Sequence, residues 1–142
     1  MADGNAAEIV AGIRNTEEMT VTEDKTAKRA GSGDLEVFST PDMVALMEKT
    51  CLDSVRGALG ENSGTVGTLM NIKHVSATPV GMKVRCESVL TEVDRRRLVF
   101  EVRAYDEAGL IGEGVHERFI IDNEKFTSKA YSKLENSPKQ EK

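Results

Sequence analysis

The sequence predicts an α+β fold in which an antiparallel sheet wraps around one long central helix. Residues 41–59 show the period of an amphipathic helix. After them come four segments in which apolar and polar residues alternate, joined by short turns. A sheet that covers a single helix is typical of the α+β class. The length of 142 residues fits one domain.

The residues before the long helix predict one strand and one loop. Residues 18–22 alternate and are rich in β-branched side chains, which favours a first strand. Residues 25–34 contain two glycines and have no hydrophobic period, which predicts a mobile surface loop. We expect residues 1–15 to be a flexible N-terminus, residues 16–135 to form the domain, and residues 136–142 to be a flexible tail.

The start of the long helix carries three signals. Thr40 is the predicted N-cap, Pro41 takes the first helical position, and Asp42 places an acid in the first turn. Gly60 is the predicted stop. One residue interrupts the apolar arc, because Glu48 falls inside it, where an unpaired carboxylate is costly. The arc contains Met43, Val44, Met47, Cys51, Leu52, Val55, Ala58 and Leu59.

The rest of the chain predicts four strands and a short terminal helix. The predicted strands cover residues 65–78, 82–94, 98–105 and 110–121, and the helix covers residues 122–135. A sheet of this kind leaves exposed edges unless another chain pairs with them. We therefore expect a homodimer or a higher oligomer.

Net charge, cysteine spacing and the absence of long apolar runs argue against several classes of function. The formal net charge of -5 disfavours nucleic acid as a partner. Cys51 and Cys86 lack metal-ligand spacing, so we expect two free thiols in a cytoplasmic protein with no metal and no cofactor. The first residues show no apolar region behind a basic one, so we expect no signal peptide. No apolar run approaches the roughly 18 residues that a membrane helix needs. We expect no membrane association.

Three polar residues near the predicted core could carry chemistry: Thr40, Glu48 and His74. Each also has a plain structural interpretation, as a helix cap, a satisfied carboxylate and an ordinary strand histidine. Together they offer a carboxylate that can act as base or nucleophile, an imidazole that can transfer protons, and a hydroxyl that can orient water or an ester. The combination favours a hydrolytic site.

Several motifs follow one another between about residues 36 and 129. They are VFSTPDMVALME at 37–48, GT at 67–68, HVSATPVG at 74–81, RRL at 96–98, GVHER at 114–118 and EKF at 124–126. In this order and at similar spacing, they resemble the hotdog-fold acyl-CoA thioesterase family related to fluoroacetyl-CoA thioesterase. The resemblance implies a hotdog fold and the hydrolysis of an acyl-CoA substrate to a free carboxylic acid and coenzyme A.

The resemblance also implies roles for single residues. It places the family's catalytic triad on Thr40, Glu48 and His74. It implies that Gly67 lies near the thioester carbonyl and that Arg118 contacts the coenzyme A portion.

Other residues of these motifs have simpler interpretations. Phe38, in the helix-start motif, is a third candidate for substrate binding. Taken alone, Gly67 could equally be a strand bulge and Arg118 an exposed charge on an edge strand. His116 lies in the same GVHER motif as Arg118 but is not assigned to the triad.

The resemblance is weakest before the helix. Fluoroacetyl-CoA thioesterase has a Phe-bearing lid there, whereas residues 25–34 contain no aromatic side chain, which argues against a fluoroacetyl preference. Two other functions stay open for the same fold: an acyl-thioester hydratase or dehydratase, and a non-catalytic acyl-CoA-binding module. Release of a free thiol distinguishes hydrolysis from both.

Overall fold

A computed structural model describes residues 9–136 as one sheet packed on a long helix. The predicted α+β class is therefore confirmed. The segments expected to be flexible, residues 1–15 and 136–142, lie mostly outside the described residues. Within the described part, Arg14 already belongs to the first strand. The elements are β1 (Arg14–Thr20), a 3-10 turn (Glu23–Lys25), α1 (Ala27–Ala30), α2 (Thr40–Arg56), β2 (Ser63–His74), β3 (Lys83–Asp94), β4 (Arg97–Asp106), β5 (Gly109–Asp122), α3 (Asn123–Tyr131) and α4 (Lys133–Asn136).

The five strands form one antiparallel sheet with the order β1-β3-β4-β5-β2. Tight hairpins join β3 to β4 and β4 to β5, so these strands are neighbours both in the chain and in the sheet. The strand β2 crosses over to pair with β5. As a result, β1 and β2 form the two edges of the sheet among the described residues.

The helix α2 packs against β1, β2, β3 and β4, and an aliphatic core fills the space between helix and sheet. The predicted apolar arc is confirmed at its centre but not at its end, because the helix stops before Leu59. The fully buried members of the predicted arc are Met43, Met47, Cys51 and Val55.

Both ends of α2 differ from the prediction. Ser39, not Thr40, is the N-cap, since the Ser39 hydroxyl accepts a hydrogen bond from the Asp42 N–H at 2.9 Å. The Thr40 side chain is therefore not needed for capping. At the other end the helix stops at Arg56, and Gly57 rather than Gly60 is the C-cap.

The segment before α2 also differs from the prediction. The expected irregular loop contains α1, a single helical turn with a cap at each end. The Thr26 hydroxyl accepts from the Arg29 N–H at 3.2 Å, and Gly31 ends the turn with φ 77°. A bridge between Thr26 and Phe38 places this turn beside the start of α2.

Two further observations concern residues 9–136. None of their helices is both long and apolar enough to cross a membrane. No group of His, Cys, Asp and Glu side chains in this part is arranged to hold a metal ion.

Candidate active site

The first half of the candidate site lies where α2 begins and β2 ends. Thr40 is the first residue of α2, and His74 is the last residue of β2, opposite Gly112 on β5. The Thr40 Oγ1 and the His74 Nδ1 share a hydrogen bond of 2.7 Å. The Phe38 ring meets the His74 ring edge-on, with 6.5 Å between the centroids. Two of the three predicted triad residues are therefore in direct contact.

The environment of His74 suits proton transfer. Its Nε2 is buried and has no hydrogen-bond partner among the described residues. Burial lowers the pKa of His74, while a hydrogen bond with the Ser76 backbone acts in the opposite direction. The imidazole is consequently neutral near pH 7 and can accept a proton. A cavity of about 310 Å³ opens beside the pair and is lined by Ala27, Ser32, Val37, Phe38, Thr40, His74, Val75, Ser76 and Ala77.

The second half of the site surrounds Glu48. This residue follows Thr40 by eight positions on α2, which is about 12 Å along the helix axis. Its carboxylate lies against the backbone of β2, because a Cβ placed on Gly67 would be only 2.8 Å from the Glu48 Oε2. The β2 strand bulges here, with Thr68 as the extra residue between Gly67 and Leu69. The predicted bulge is therefore present beside Gly67, and the position of Gly67 near a thioester carbonyl stays a prediction.

Beneath Gly67 lies a buried polar network built from β5. His116 is 1% exposed and Arg118 is 6% exposed. Arg118 donates from Nε to the Thr65 Oγ1 at 2.7 Å, from Nη2 to the Thr65 carbonyl at 2.9 Å, and from Nη1 to the His116 Nε2 at 3.1 Å. The His116 Nδ1 donates to the Leu69 carbonyl at 2.9 Å.

This network changes the interpretation of Arg118. The strand β5 lies inside the sheet between β4 and β2, so the alternative of an exposed charge on an edge strand is wrong. The burial of the guanidinium also argues against the contact with coenzyme A that the resemblance implies. Burial lowers the pKa of Arg118, and the nearby Glu48 charge opposes this shift.

Within one protomer, the predicted triad is divided. Thr40 and His74 meet at the C-terminal end of β2, whereas Glu48 meets Gly67 nearer the middle of the strand. The seven residue steps from Gly67 to His74 cover about 20 Å in an extended strand. The sequence interpretation left out His116. The sequence feature that could have identified His116 is its alternation with Arg118, which places both side chains on one face of β5, opposite the bulge.

The comparisons with known proteins agree with this architecture. A family model described as fluoroacetyl-CoA-specific thioesterase matches residues 21–124. The fluoroacetyl-CoA thioesterase of Streptantibioticus cattleyicolor is 41% identical over 98 residues, which cover 69% of this chain and 70% of that protein.

Solved structures show the same fold. A mutant of fluoroacetyl-CoA thioesterase in complex with acetyl-CoA superimposes with a TM-score of 0.85 at 34% identity, covering 92% of this chain and 100% of that one. A thioesterase superfamily member from Thermus thermophilus gives 0.82 at 27% identity, covering 89% and 94%. A hot-dog-like protein from Thermanaerovibrio acidaminovorans gives 0.82 at 18% identity, covering 94% and 98%. The predicted hotdog fold is confirmed.

Proposed function

Because the chain belongs to the family of fluoroacetyl-CoA-specific thioesterases, we propose that it hydrolyses an acyl-CoA thioester to a carboxylic acid and coenzyme A. The observation that carries the proposal is the hydrogen bond of 2.7 Å between Thr40 and His74 at the wall of a cavity. A hydroxyl held against a neutral imidazole is a recurrent arrangement in acyl transfer.

Each site residue has a role in this reaction. His74 accepts the remaining proton of the added water from the tetrahedral intermediate and delivers it to the leaving thiolate of coenzyme A, while the Thr40 hydroxyl orients its ring. Glu48 accepts no hydrogen bond among the described residues, so its carboxylate is free to act as general base for the attacking water. Backbone N–H groups near Gly67 stabilise the negative charge on the carbonyl oxygen.

A second copy of the chain brings the two halves of the site together. Of the two sheet edges, β1 carries the charged residues Arg14, Glu17 and Glu18, which discourage pairing. The central part of β2 is uncharged from Ser63 to Ile72 and leaves Leu69 43% exposed. The edge of β2 is therefore the surface at which we propose that two copies pair.

Symmetry explains how such pairing completes the site. In an antiparallel pair of identical strands, residues at equal distances from the two-fold axis lie opposite each other. If the axis passes between Met70 and Asn71, Gly67 precedes it by the same number of residues by which His74 follows it. The Glu48 and Gly67 half of one protomer then faces Thr40 and His74 of the partner subunit, and each dimer contains two complete sites.

The cavity also bears on the acyl group. Its walls come from α1, the start of α2 and the end of β2, and Phe38 is the only residue among them with a six-membered aromatic ring. The small side chains of Ala27, Ser32 and Ala77 line the remaining part near α1. We propose that the enzyme accepts acyl groups larger than fluoroacetyl, since no aromatic side chain of residues 25–34 narrows the cavity.

The test is a thiol-release assay over short, branched, aromatic and long acyl-CoAs. We predict that Glu48→Gln and His74→Ala each lower turnover by at least about a hundredfold, because each removes one proton-transfer group. The matched control is Glu101→Gln, which changes an exposed carboxylate on β4 and should leave turnover unchanged.

Three results would contradict the proposal. Wild-type turnover in both variants would remove Glu48 and His74 from the reaction. Binding of acyl-CoA without thiol release by the wild-type protein would identify a binding module. A change in the acyl group without thiol release would instead identify a hydratase or dehydratase.

A further inference from the structure

We propose that His116 and Arg118 are positioning residues, which form a buried hydrogen-bond chain that fixes the β2 bulge and sets the Glu48 carboxylate against Gly67. The inference rests on the proposed hydrolysis and adds two residues that do not themselves touch the reacting atoms. It also gives Arg118 a role that is compatible with its burial.

The hydrogen-bond chain of His116 and Arg118 binds β2 on both sides of its bulge. Before the bulge, Arg118 binds the side chain and the carbonyl of Thr65. After the bulge, His116 binds the carbonyl of Leu69. The two β5 side chains are joined to each other at 3.1 Å. These bonds add to the β2–β5 ladder at the point where its register shifts, so they determine where the Gly67 backbone lies.

Each group in this hydrogen-bond chain can act in only one way, as a donor or as an acceptor. A carbonyl can only accept and a guanidinium can only donate, so His116 must carry its proton on Nδ1 and accept on Nε2. The Phe100 ring stacks on the imidazole, with 6.3 Å between centroids and 28° between planes, and restricts its rotation. Burial, assisted by the Arg118 charge, lowers the pKa of His116, while the bond to Leu69 and the Glu48 and Glu117 charges oppose the shift.

Glu48, His116 and Arg118 converge under one glycine. A Cβ on Gly67 would lie 2.8 Å from the Glu48 Oε2, 3.1 Å from the His116 Cε1 and 3.4 Å from the Arg118 Nη1. A methyl group at Gly67 would therefore push the Glu48 carboxylate away and crowd the His116 ring, so the glycine is what allows the three side chains to approach the strand. The Arg118 guanidinium also attracts the half-buried Glu48 carboxylate electrostatically.

Two substitutions break the chain while conserving most of its chemistry. Arg118→Lys keeps the charge but cannot bind Thr65 and His116 at once. His116→Asn keeps a donor near Leu69, but the shorter asparagine side chain places no acceptor at the Nε2 position that Arg118 contacts. In both variants we expect kcat to fall about tenfold or more with KM changed by less than about twofold, because the carboxylate is displaced while substrate contacts remain. Arg103→Lys, at an exposed arginine on β4, is the matched control and should leave both constants unchanged.

Nitrogen-15 NMR of the wild-type protein tests the chain without a substitution. The expected spectrum shows His116 as the neutral Nδ1–H tautomer at pH 7. An Nε2–H tautomer or an imidazolium would overturn the proposal, as would an unchanged kcat in Arg118→Lys and His116→Asn. A raised KM with unchanged kcat in Arg118→Lys would show direct contact with substrate. If the wild-type protein released no thiol from any acyl-CoA, the proposed function would fail while the spectrum still decided the existence of the chain.

Discussion

At the scale of single residues, His74 links burial to the expected pH dependence. Its Nδ1 contacts Thr40, its Nε2 is enclosed, and burial lowers its pKa below the ordinary value of 6.5. A lowered pKa means that the neutral, proton-accepting form persists to more acidic pH than in a free histidine. The residue is therefore in its reactive form throughout the physiological range.

We predict that the acid limb of the pH profile of kcat/KM has its midpoint below pH 6.5. This profile reports ionisations of the free enzyme, and protonation of His74 removes the acceptor. Thiol release measured from about pH 4.5 to 8 checks the midpoint. A midpoint above 6.5 would contradict a desolvated His74. The residual activity of His74→Ala should lack this limb.

The sequence indicated part of the candidate site. The triad candidates Thr40, Glu48 and His74 came from their positions in a predicted helix and strand together with the family resemblance. His116 was missed because its importance depends on the Leu69 carbonyl, the Arg118 guanidinium and the packing of Gly67, which come from two strands. Contacts between strands that are distant in sequence are not readable from a local pattern.

At the scale of elements, the start of α2 separates two functions that the sequence assigned to one residue. Ser39 is fully buried and caps the helix, whereas Thr40 is exposed and contacts His74. Both hydroxyls precede Pro41, and either could cap a helix. Only the backbone conformation at Ser39, with φ -78° and ψ 149°, shows which residue is outside the helix.

We predict opposite outcomes for two substitutions at this helix start. Ser39→Ala should lower the free energy of unfolding by about 1 kcal/mol, because it removes the cap. Thr40→Val should leave the free energy of unfolding almost unchanged but reduce turnover strongly, since valine keeps the shape and loses the hydroxyl. Denaturant unfolding and thiol release measure the two effects. A Thr40→Val variant that is destabilised but fully active would show that Thr40 caps the helix and takes no part in the reaction.

The positions of most elements followed from periodicity, but the ends of β1, β2 and α2 did not. Strands β3, β4 and β5 lie where the alternation predicted them, because one face of each packs on an aliphatic core. The prediction failed in residues 25–34, where α1 is too short to show a helical period and depends on the caps at Thr26 and Gly31. Short capped turns are determined by single hydrogen bonds rather than by a pattern.

At the scale of the whole molecule, the proposed dimer explains why one chain has two separate half-sites. The Thr40–His74 pair and the Glu48–Gly67 contact lie at different positions along an edge strand. A two-fold axis halfway between Gly67 and His74 exchanges these two positions between the protomers. The arrangement predicts that catalysis requires pairing. Sedimentation should therefore give a mass of at least two chains for the active protein, and an active monomer would contradict the model of shared sites.

We predict that two inactive variants restore activity when they form a mixed dimer. Co-expression of Glu48→Gln and His74→Ala with different affinity tags allows the mixed dimer to be purified. In one of its sites, intact Glu48 from the His74→Ala chain faces intact His74 from the Glu48→Gln chain, while the other site carries both substitutions. The mixed dimer should therefore show about half of the wild-type turnover, since one of two sites is intact. If each site belonged to a single protomer, both sites would carry a substitution, and the mixed dimer would stay as inactive as its parents.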